Sequence, residues 1–560
     1  MSGQNRLLVT LVGIVAVLLL VVGGLTVVAT VAGGGDDDGG GGGGSGGGVS
    51  TEDSGDAIDG GDTSGQLRLA GSDPVTLDPA LSTDAGSAQF IMEIFSGLVT
   101  IAPDLSIQLD LAESLDVSTD GTVYTFTLRD DAVFHNGRAV TADDIVWSIN
   151  RAASQEVSSP VALAYLGDIV GVREYFFGQA DSVSGIEVVD ERTVRITIDA
   201  PKPYFLAKLT YPTAFVIDRQ QVEANQDGWT RRPNGTGPYR LREWRLGERL
   251  VLEANQRFYQ GVPPIETVVY ELSGGSALTR FENGELDVAF ISINDIERAR
   301  DPNSDLGKLY QSSPEMSVSY LALNNNQPPF DDPNVRRALA MAIDRATVAS
   351  VTFQNMVVPA TGVMPPGTPG YTPEDKTLPF DPDEARRLLA ESSYGGPENL
   401  PPIVITEVGG GAEARIDTQA FIEQWRQELG IEVQIRQTDF ATFLADQDAG
   451  RTQAANAGWV LDYPDPESVL DLKFHSGSSL NDVGYSNEEV DALLDQARVE
   501  QDPDARLQLY RDAENLIIQD AAWIPLYFSV NHTVVSERVQ DWFDPPLVMP
   551  QLRFISLSEE

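Results

Sequence analysis

The stretch DDAVFHNGRAVTADDIVWSINR, residues 130–151, carries a strong local folding signal. It follows the alternating run TVYTFTL (122–128), whose apolar residues recur at every second position and predict a half-buried β-strand. Thr141 and Asp144 form a capping box, in which each side chain binds the backbone N–H of the other residue at a helix start. Apolar residues at helical spacing follow from Ile145. The segment therefore predicts a strand, a turn and a capped helix in succession.

Four further helix starts have comparable signals. Three are Asp-Pro pairs, in which the aspartate caps the helix and proline occupies its first position. The fourth is a serine followed three residues later by glutamate, which is a second capping box. These starts are Asp332-Pro333, Asp381-Pro382, Asp502-Pro503 and Ser486 with Glu489.

Two segments predict βαβ units, in which a helix joins two parallel strands. IVITE (403–407) leads through a helix over about 413–429 to IEVQIR (431–436). ETVVYEL (266–272) leads through a short helix to LDVAF (286–290). Parallel crossovers of this kind build α/β lobes with helices on both faces of a sheet.

Composition excludes several classes of function. The 560 residues contain no cysteine, so disulfides, thiolate nucleophiles and cysteine-based zinc sites are excluded. The net charge of -46 repels phosphate backbones, so we expect no nucleic-acid partner. His135, His475 and His532 stand far apart, and the chain has neither a GxxxxGK[ST] nor an HExxH motif. We therefore predict no catalytic residues, no metal, no cofactor and no enzymatic activity.

The N-terminal region predicts where in the cell the protein is located. Residues 7–32 carry no charge, and a helix of that length spans about 39 Å, enough to cross a membrane. Arg6 precedes this segment and three aspartates follow it at 36–38, which places the rest of the chain outside the cytoplasm. We predict an uncleaved anchor; the alternative is a signal peptide cleaved near the small residues Ala29 and Ala32. A lipoprotein is excluded, since no cysteine exists to carry the lipid.

Residues 33–65 are mostly Gly, Asp and Ser. They have too few apolar side chains to order themselves, so we expect a disordered linker. A flexible chain of this length has a reach of about 30 Å. The body of the protein would then be tethered near the membrane, yet free to turn.

The segment GWVLDYPDPESVL, residues 458–470, is the strongest candidate for a binding site. Trp459 and Tyr463 flank Asp462, and the prolines that follow force an extended or turning backbone. Two interpretations stay open from these residues alone. The segment is either a surface turn with the aspartate as a cap, or a carboxylate beside aromatic walls that suits a cationic group on a ligand.

Over residues 66–555 the chain resembles the large solute-binding proteins of peptide and nickel importers of the ATP-binding-cassette (ABC) type. Five segments match this family, and they occur in the family's order. The segments are TLDPALSTDAGSAQFIMEIFSGLV (76–99), DDAVFHNGRAVTADDIVWSINR (130–151), TGPYRLREW (236–244), PFDDPNVRRALAMAIDR (329–345) and GYSNEEVDALLDQA (484–497).

The resemblance implies an α/β, two-lobed periplasmic-binding-protein-like fold of the cluster C type, with an extra domain inserted in lobe I. The chain would cross between the lobes near 316–324 and 524–532. The implied domains are lobe I at 66–112, 238–322 and 531–560, the extra domain at 113–237, and lobe II at 323–530.

The resemblance also implies the ligand and where it binds. In oligopeptide carriers of this family, an aspartate at the position of Asp462 receives the terminal ammonium of a peptide that pairs as an added strand. A loop of the other lobe faces that strand. The residues implied in ligand binding are Asp462, Trp459, Gly458, Val460, Tyr463, Thr83, Asp84 and Ala85.

The expected function is therefore extracytoplasmic binding of an oligopeptide or dipeptide and its delivery to ABC permease subunits, by a protein that is itself monomeric. Other cargoes on the same scaffold stay open, among them a nickel chelate, an opine or an oligosaccharide. A membrane-tethered sensor without transport is a further alternative.

Overall fold

The computed structural model describes residues 65–411 and 413–558. The predicted anchor (7–32) and nearly all of the predicted linker (33–65) lie outside the described residues. Within the described ranges, no helix is long and apolar enough to cross a membrane.

The strands of the described residues form five sheets. They are a four-stranded sheet in the order β1-β10-β9-β8, a second four-stranded sheet in the order β4-β5-β7-β6, a seven-stranded sheet in the order β11-β17-β12-β16-β14-β15 with β13 beside β17, and the pairs β2-β3 and β18-β19. The strands are β1 Gln66–Ala70, β2 Val99–Ile101, β3 Ile107–Leu109, β4 Ala112–Val117, β5 Val123–Leu128, β6 Ile186–Asp190, β7 Thr193–Thr197, β8 Tyr239–Arg245, β9 Arg249–Ala254, β10 Thr267–Glu271, β11 Val288–Phe290, β12 Tyr310–Leu323, β13 Val358–Pro359, β14 Ile403–Val408, β15 Val433–Thr438, β16 Ala454–Val460, β17 Trp523–Val535, β18 Val539–Gln540 and β19 Ser556–Leu557.

Helices cover the faces of these sheets. The α-helices are α1 Ala85–Ile94, α2 Ala142–Ala152, α3 Ala162–Leu166, α4 Val172–Phe176, α5 Phe205–Lys208, α6 Arg219–Ala224, α7 Ala277–Glu282, α8 Ile296–Ala299, α9 Asp305–Leu309, α10 Pro333–Met341, α11 Arg345–Thr347, α12 Pro382–Glu391, α13 Ile416–Leu429, α14 Phe440–Asp448, α15 Glu467–Phe474, α16 Glu488–Val499 and α17 Pro503–Gln519. Short 3₁₀ helices lie at Pro79–Leu81, Pro212–Ala214, Trp229–Arg231, Pro397–Asn399 and Leu552–Phe554, and a π turn at Val348–Thr352.

One predicted βαβ unit is confirmed and the other is wrong. β14, α13 and β15 form the first unit, and its two strands pair in parallel. In the second, β10 and β11 lie in different sheets, and β11 pairs antiparallel with β17. The physical reason is that both edges of β10 are already occupied, by β1 on one side and β9 on the other.

The segments predicted to cross between lobes lie in the two longest strands. β12 and β17 run antiparallel to each other through the middle of the seven-stranded sheet. Their pairing is interrupted between Pro314 and Val318. A break in the ladder of this kind bends the strands locally. Passage of the chain between lobes at these segments stays a prediction.

The predicted capping box at the start of α2 is confirmed. The Asp144 carboxylate accepts hydrogen bonds from the backbone N–H and the hydroxyl of Thr141, each at 2.9 Å. Arg138 donates to both oxygens of Asp144 at 2.9 Å and to Asp218, the cap of α6, at 2.7 Å. One guanidinium therefore joins the starts of two helices.

The three Asp-Pro helix starts are confirmed, since each aspartate accepts a hydrogen bond from a backbone N–H in the first turn. The capping box predicted at Ser486 is wrong by one residue. Asn487 caps α16, and its side-chain oxygen accepts from the N–H groups of Glu489 and Val490. Asparagine is as good a cap as serine, so the sequence offers two adjacent candidates.

Separate hydrophobic clusters lie against the sheets. One packs α2 on the β4-β5-β7-β6 sheet around Phe126, and another packs α1 on the β1-β10-β9-β8 sheet around Phe90. The seven-stranded sheet has three: α10, α12 and α13 enclose Trp425, α7 and α8 pack on β11 and β17, and α15 to α17 enclose Tyr510. The last of these clusters also contains Tyr165 of α3, so it joins the seven-stranded sheet to the segment that follows α2.

We predict that Asp144→Ala lowers the free energy of unfolding by about 2–4 kcal/mol, because it removes a helix cap and leaves a half-buried guanidinium with one partner fewer. Urea denaturation of the region from residue 65 onward measures this. Asp143→Ala is the matched control: Asp143 is exposed in the same helical turn, so about 0.5 kcal/mol or less is expected. Equal losses from both variants would contradict the role of the Arg138 contacts.

Candidate functional site

A cavity of about 710 Å³ lies between the start of α1 and the seven-stranded sheet. Residues of separate elements contribute to its wall, among them the loop before α1, strand β16 and helices α14 and α15. Seven of the eight residues predicted to bind ligand line it. They are Thr83, Asp84, Ala85, Gly458, Trp459, Val460 and Asp462.

Tyr463, the eighth predicted residue, lies apart from the cavity lining. Its side chain is fully buried, and its hydroxyl donates a short hydrogen bond to Glu467. Glu467 also pairs with Lys208 at 2.8 Å, and Lys208 lies 3.1 Å from Asp168. Burial raises the pKa of Glu467, while the Lys208 ammonium opposes that shift. Tyr463 thus belongs to a buried polar cluster outside the cavity lining.

Strand β16 presents an open edge to the cavity. On one side it pairs with β12 along its whole length, whereas within the described ranges β14 reaches only Ala454 and Ala455 on the other side. The Leu461 N–H donates to Met316 of β12 at 2.9 Å. Since backbone groups alternate in direction along a strand, those of Gly458 and Val460 point away from β12, toward the open edge.

The loop before α1 faces this edge. Asp84 caps α1, and its Oδ1 accepts the N–H of Ser87 at 2.7 Å. Its Oδ2 is buried and finds no hydrogen-bond partner in the part of the chain that the structure describes. Buried polar atoms without partners are rare in proteins, and each suggests a group that is missing.

Asp462 is the most perturbed acidic group in the cavity. It is 6% exposed, and its Oδ2 accepts a hydrogen bond of 2.5 Å from the Tyr165 hydroxyl. Its backbone N–H donates to Ser468. Burial raises the pKa of Asp462 to about 7, and the hydrogen bond from Tyr165 and the Lys473 ammonium offset this shift only in part. Among residues 65–411 and 413–558, no cation forms an ion pair with Asp462. Interpretation of this segment as a surface turn is wrong, since the carboxyl group is buried.

The cavity has an excess of negative charge. Two cations line it, and both are already paired: Lys473 with Asp482 at 3.0 Å, and Arg415 with Asp417 at 3.1 Å. Lys473 also lies 4.6 Å from the ring of Trp459. The aspartates of the lining are Asp84, Asp448, Asp462 and Asp482. An incoming cationic group therefore meets unneutralised carboxylates.

Sequence reasoning missed Asp448, Asp482, Lys473 and Arg415. Each sits on a different element from Asp462, and charged residues are common in this chain. Only Lys473 has a sequence signal, because α15 begins directly after the Tyr-Pro-Asp-Pro turn that Asp462 opens.

The family model for bacterial extracellular solute-binding proteins, family 5, matches residues 106–481. The chain belongs to this family. The resemblance seen in the sequence is therefore confirmed, and so is the two-lobed α/β periplasmic-binding-protein fold. The "Periplasmic oligopeptide-binding protein OppA" of Escherichia coli (strain K12) is 29% identical over 492 residues, with 84% of this chain and 88% of that protein covered.

Two solved structures relate this family 5 protein to known conformations. The murein tripeptide binding protein MppA of Escherichia coli is 27% identical, with a TM-score of 0.80 over 88% of this chain and 99% of that one. MppA in an unliganded open form is 26% identical, with a TM-score of 0.64 over 89% and 98%. The present structure therefore superposes better on the first of these two structures than on the unliganded open form.

We predict that Asp462→Asn changes how the stability of the protein depends on pH. The raised pKa means that the folded protein keeps a proton that the unfolded chain has released between about pH 4 and 7, so ionisation of Asp462 destabilises the fold as pH rises through this window. An amide does not titrate. Relative to its value at pH 4, the stability of the variant at pH 8 should exceed that of wild type by up to about 4 kcal/mol.

Urea denaturation at both pH values measures this difference. Asp512→Asn, at an exposed position on α17, serves as the control and should show none. A pH-independent effect of Asp462→Asn would mean that the carboxyl group titrates normally in the folded state.

Proposed function

We propose that this family 5 protein binds peptides outside the cytoplasm and delivers them, chemically unchanged, to the permease of an ABC importer. The observation that carries the proposal is a free strand edge in a cavity that also contains a buried carboxyl group with no ion-pair partner among the described residues. A peptide offers both complements, a backbone able to pair as a strand and a terminal ammonium. The names of OppA and MppA support peptides as the class of cargo.

The bound peptide would extend the seven-stranded sheet at β16. Its backbone would pair with the groups of Gly458 and Val460 that point toward the cavity, and the loop Thr83–Ala85 would close on its other side. Main-chain pairing gives affinity without reading side chains. A carrier built in this way accepts varied sequences.

The terminal ammonium would bind Asp462. A cation beside the carboxylate restores its charged form, which burial alone disfavours. The hydrogen bond from Tyr165 would hold the carboxylate in one orientation while the ammonium occupies its remaining lone pairs. This contact would fix which end of the peptide lies at Asp462.

The contacts of Tyr165 and Lys208 would stabilise the closed form. With lobe I at 66–112, 238–322 and 531–560, the extra domain at 113–237 and lobe II at 323–530, Tyr165 and Lys208 belong to the extra domain. Their partners, Asp462 and Glu467, belong to lobe II. Opening of the cleft would break both contacts, and a bound peptide would offset that tendency by bridging the two sides.

The N-terminal segment would hold the protein at the outer face of the membrane. Residues 7–32 are long and apolar enough for an anchor, with 33–65 as a tether, and cleavage near Ala32 would release the body instead. The protein would act as a monomer, because one chain contains both sides of the cavity.

We predict that Asp462→Ala lowers the affinity for peptides with a free amino terminus by about 2–5 kcal/mol, because the ammonium then lacks its buried partner. Isothermal titration calorimetry with a tripeptide and its N-acetylated form measures this. Acetylated peptide should bind weakly to wild type and variant alike. Asp512→Ala is the matched control and should bind as wild type does. Equal binding of free and acetylated peptide to wild type would refute the assignment of Asp462.

We also predict that peptide binding releases a proton. The ammonium lowers the pKa of Asp462 from about 7, so the number of protons released should fall from near one at about pH 5.5 to about one half at pH 7, and affinity should rise over that interval, in which the amino terminus of the peptide stays charged. Titrations in two buffers of different ionisation enthalpy count the protons. Proton uptake, or no exchange at pH 6, would contradict a buried carboxyl group as the receptor of the ammonium.

A further inference from the structure

A second cavity of about 200 Å³ adjoins the first. Two residues line both cavities, Ala85 at the start of α1 and Val460 at the end of β16. In the proposed binding mode, the peptide backbone passes between these two residues. Because successive side chains of a strand point to opposite faces, one side chain of the peptide is directed toward the second cavity.

The lining of this second cavity is acidic and aromatic. Three carboxylates belong to it, and among the described residues that line it there is no lysine, arginine or histidine. The aromatic residues of the wall are Tyr270, Phe290 and Trp542. The carboxylates are Glu93, Glu315 and Asp544.

Glu93 is the most deeply buried of the three, at 3% exposed. Its Oε1 accepts the backbone N–H groups of Gln551 and Leu552 at 2.8 and 2.9 Å. Its Oε2 is buried and has no hydrogen-bond partner in the described ranges. Burial raises the pKa of Glu93, and the nearby Arg553 guanidinium offsets this shift only in part. One oxygen of a buried carboxyl group is thus left for a donor that the protein itself does not supply.

Glu315 and Asp544 accept hydrogen bonds from neutral donors. Glu315 accepts from the Ser317 hydroxyl at 2.6 Å, and Asp544 accepts from Thr533 at 2.9 Å and from the Trp542 indole at 3.0 Å. Burial raises the pKa of both groups. No ion pair within residues 65–411 and 413–558 involves any of the three carboxylates.

We propose that this cavity is the subsite for one cationic side chain, lysine or arginine, of the bound peptide. The inference rests on the proposed function and adds a preference to a carrier whose main-chain contacts read no sequence. An ammonium or guanidinium would satisfy the lone oxygen of Glu93 and lie against aromatic faces, both of which favour a cation. An acidic side chain of the peptide would be repelled by the three carboxylates, and no cationic residue of the described lining would attract it.

The test is a calorimetric titration of trialanine and of its derivatives in which one residue at a time is lysine, norleucine or glutamate. Wild type should prefer lysine over norleucine at one position by about tenfold or more, as expected when a charged group loses its partner. Glu315→Gln should remove most of that preference and leave the affinity for trialanine unchanged. Glu93→Gln, which keeps an acceptor for the N–H groups of Gln551 and Leu552, is a second variant with the same expected result.

Glu253→Gln is the matched control, because Glu253 lies on β9 outside both cavities and pairs with Arg240 at the surface. It should keep the preference for lysine. Equal affinities for lysine and norleucine at every position of wild type, with trialanine still bound, would overturn the subsite and leave the proposed function intact. A preference that survives both Glu variants and disappears in Asp448→Asn would place the cation in the first cavity and likewise overturn it. Failure of every peptide to bind would refute the proposed function itself.

Discussion

A buried carboxyl group that forms no ion pair within the described residues is the constraint on which the rest of the site depends. Asp462 accepts a side-chain hydrogen bond from Tyr165, and burial raises its pKa to about 7. Burial of such a group costs free energy, so its presence in a cavity suggests a binding role. Its position beside a free strand edge indicates a peptide as the ligand, because a peptide supplies a terminal cation together with a backbone that can pair as a strand.

The sheet explains why the edge is free. β14 pairs with β16 over two residues and then diverges, so the groups of Gly458 and Val460 face the cavity instead of a neighbouring strand. An exposed strand edge can pair with strands of other chains. The loop before α1 and the walls of the cavity restrict access to the edge of β16. The interrupted pairing of β12 with β17 lies in the same sheet, so movement there would widen or narrow the space in which a ligand lies.

Local signals in the sequence predicted local structure well. The capping box at Thr141 and the unit β14-α13-β15 follow from short-range rules, and the segment around Asp462 stood out because its aromatics and prolines are adjacent in sequence. Sheet membership of β10 and β11 was not predictable, since the free edges of a strand depend on partners as distant as β1. The carboxylates of the second cavity were hidden for the same reason: they come from three separate segments and meet only in the folded chain.

The account rests on a solute gripped between a loop and a strand edge, with its charged end at a buried carboxylate. Native mass spectrometry of the protein purified without denaturation, from cells supplied with a peptide digest, tests this most directly. The account predicts bound masses that fragment as short peptides with free amino termini. Bound species that are not peptides, or peptides with blocked amino termini at equal abundance, would contradict it.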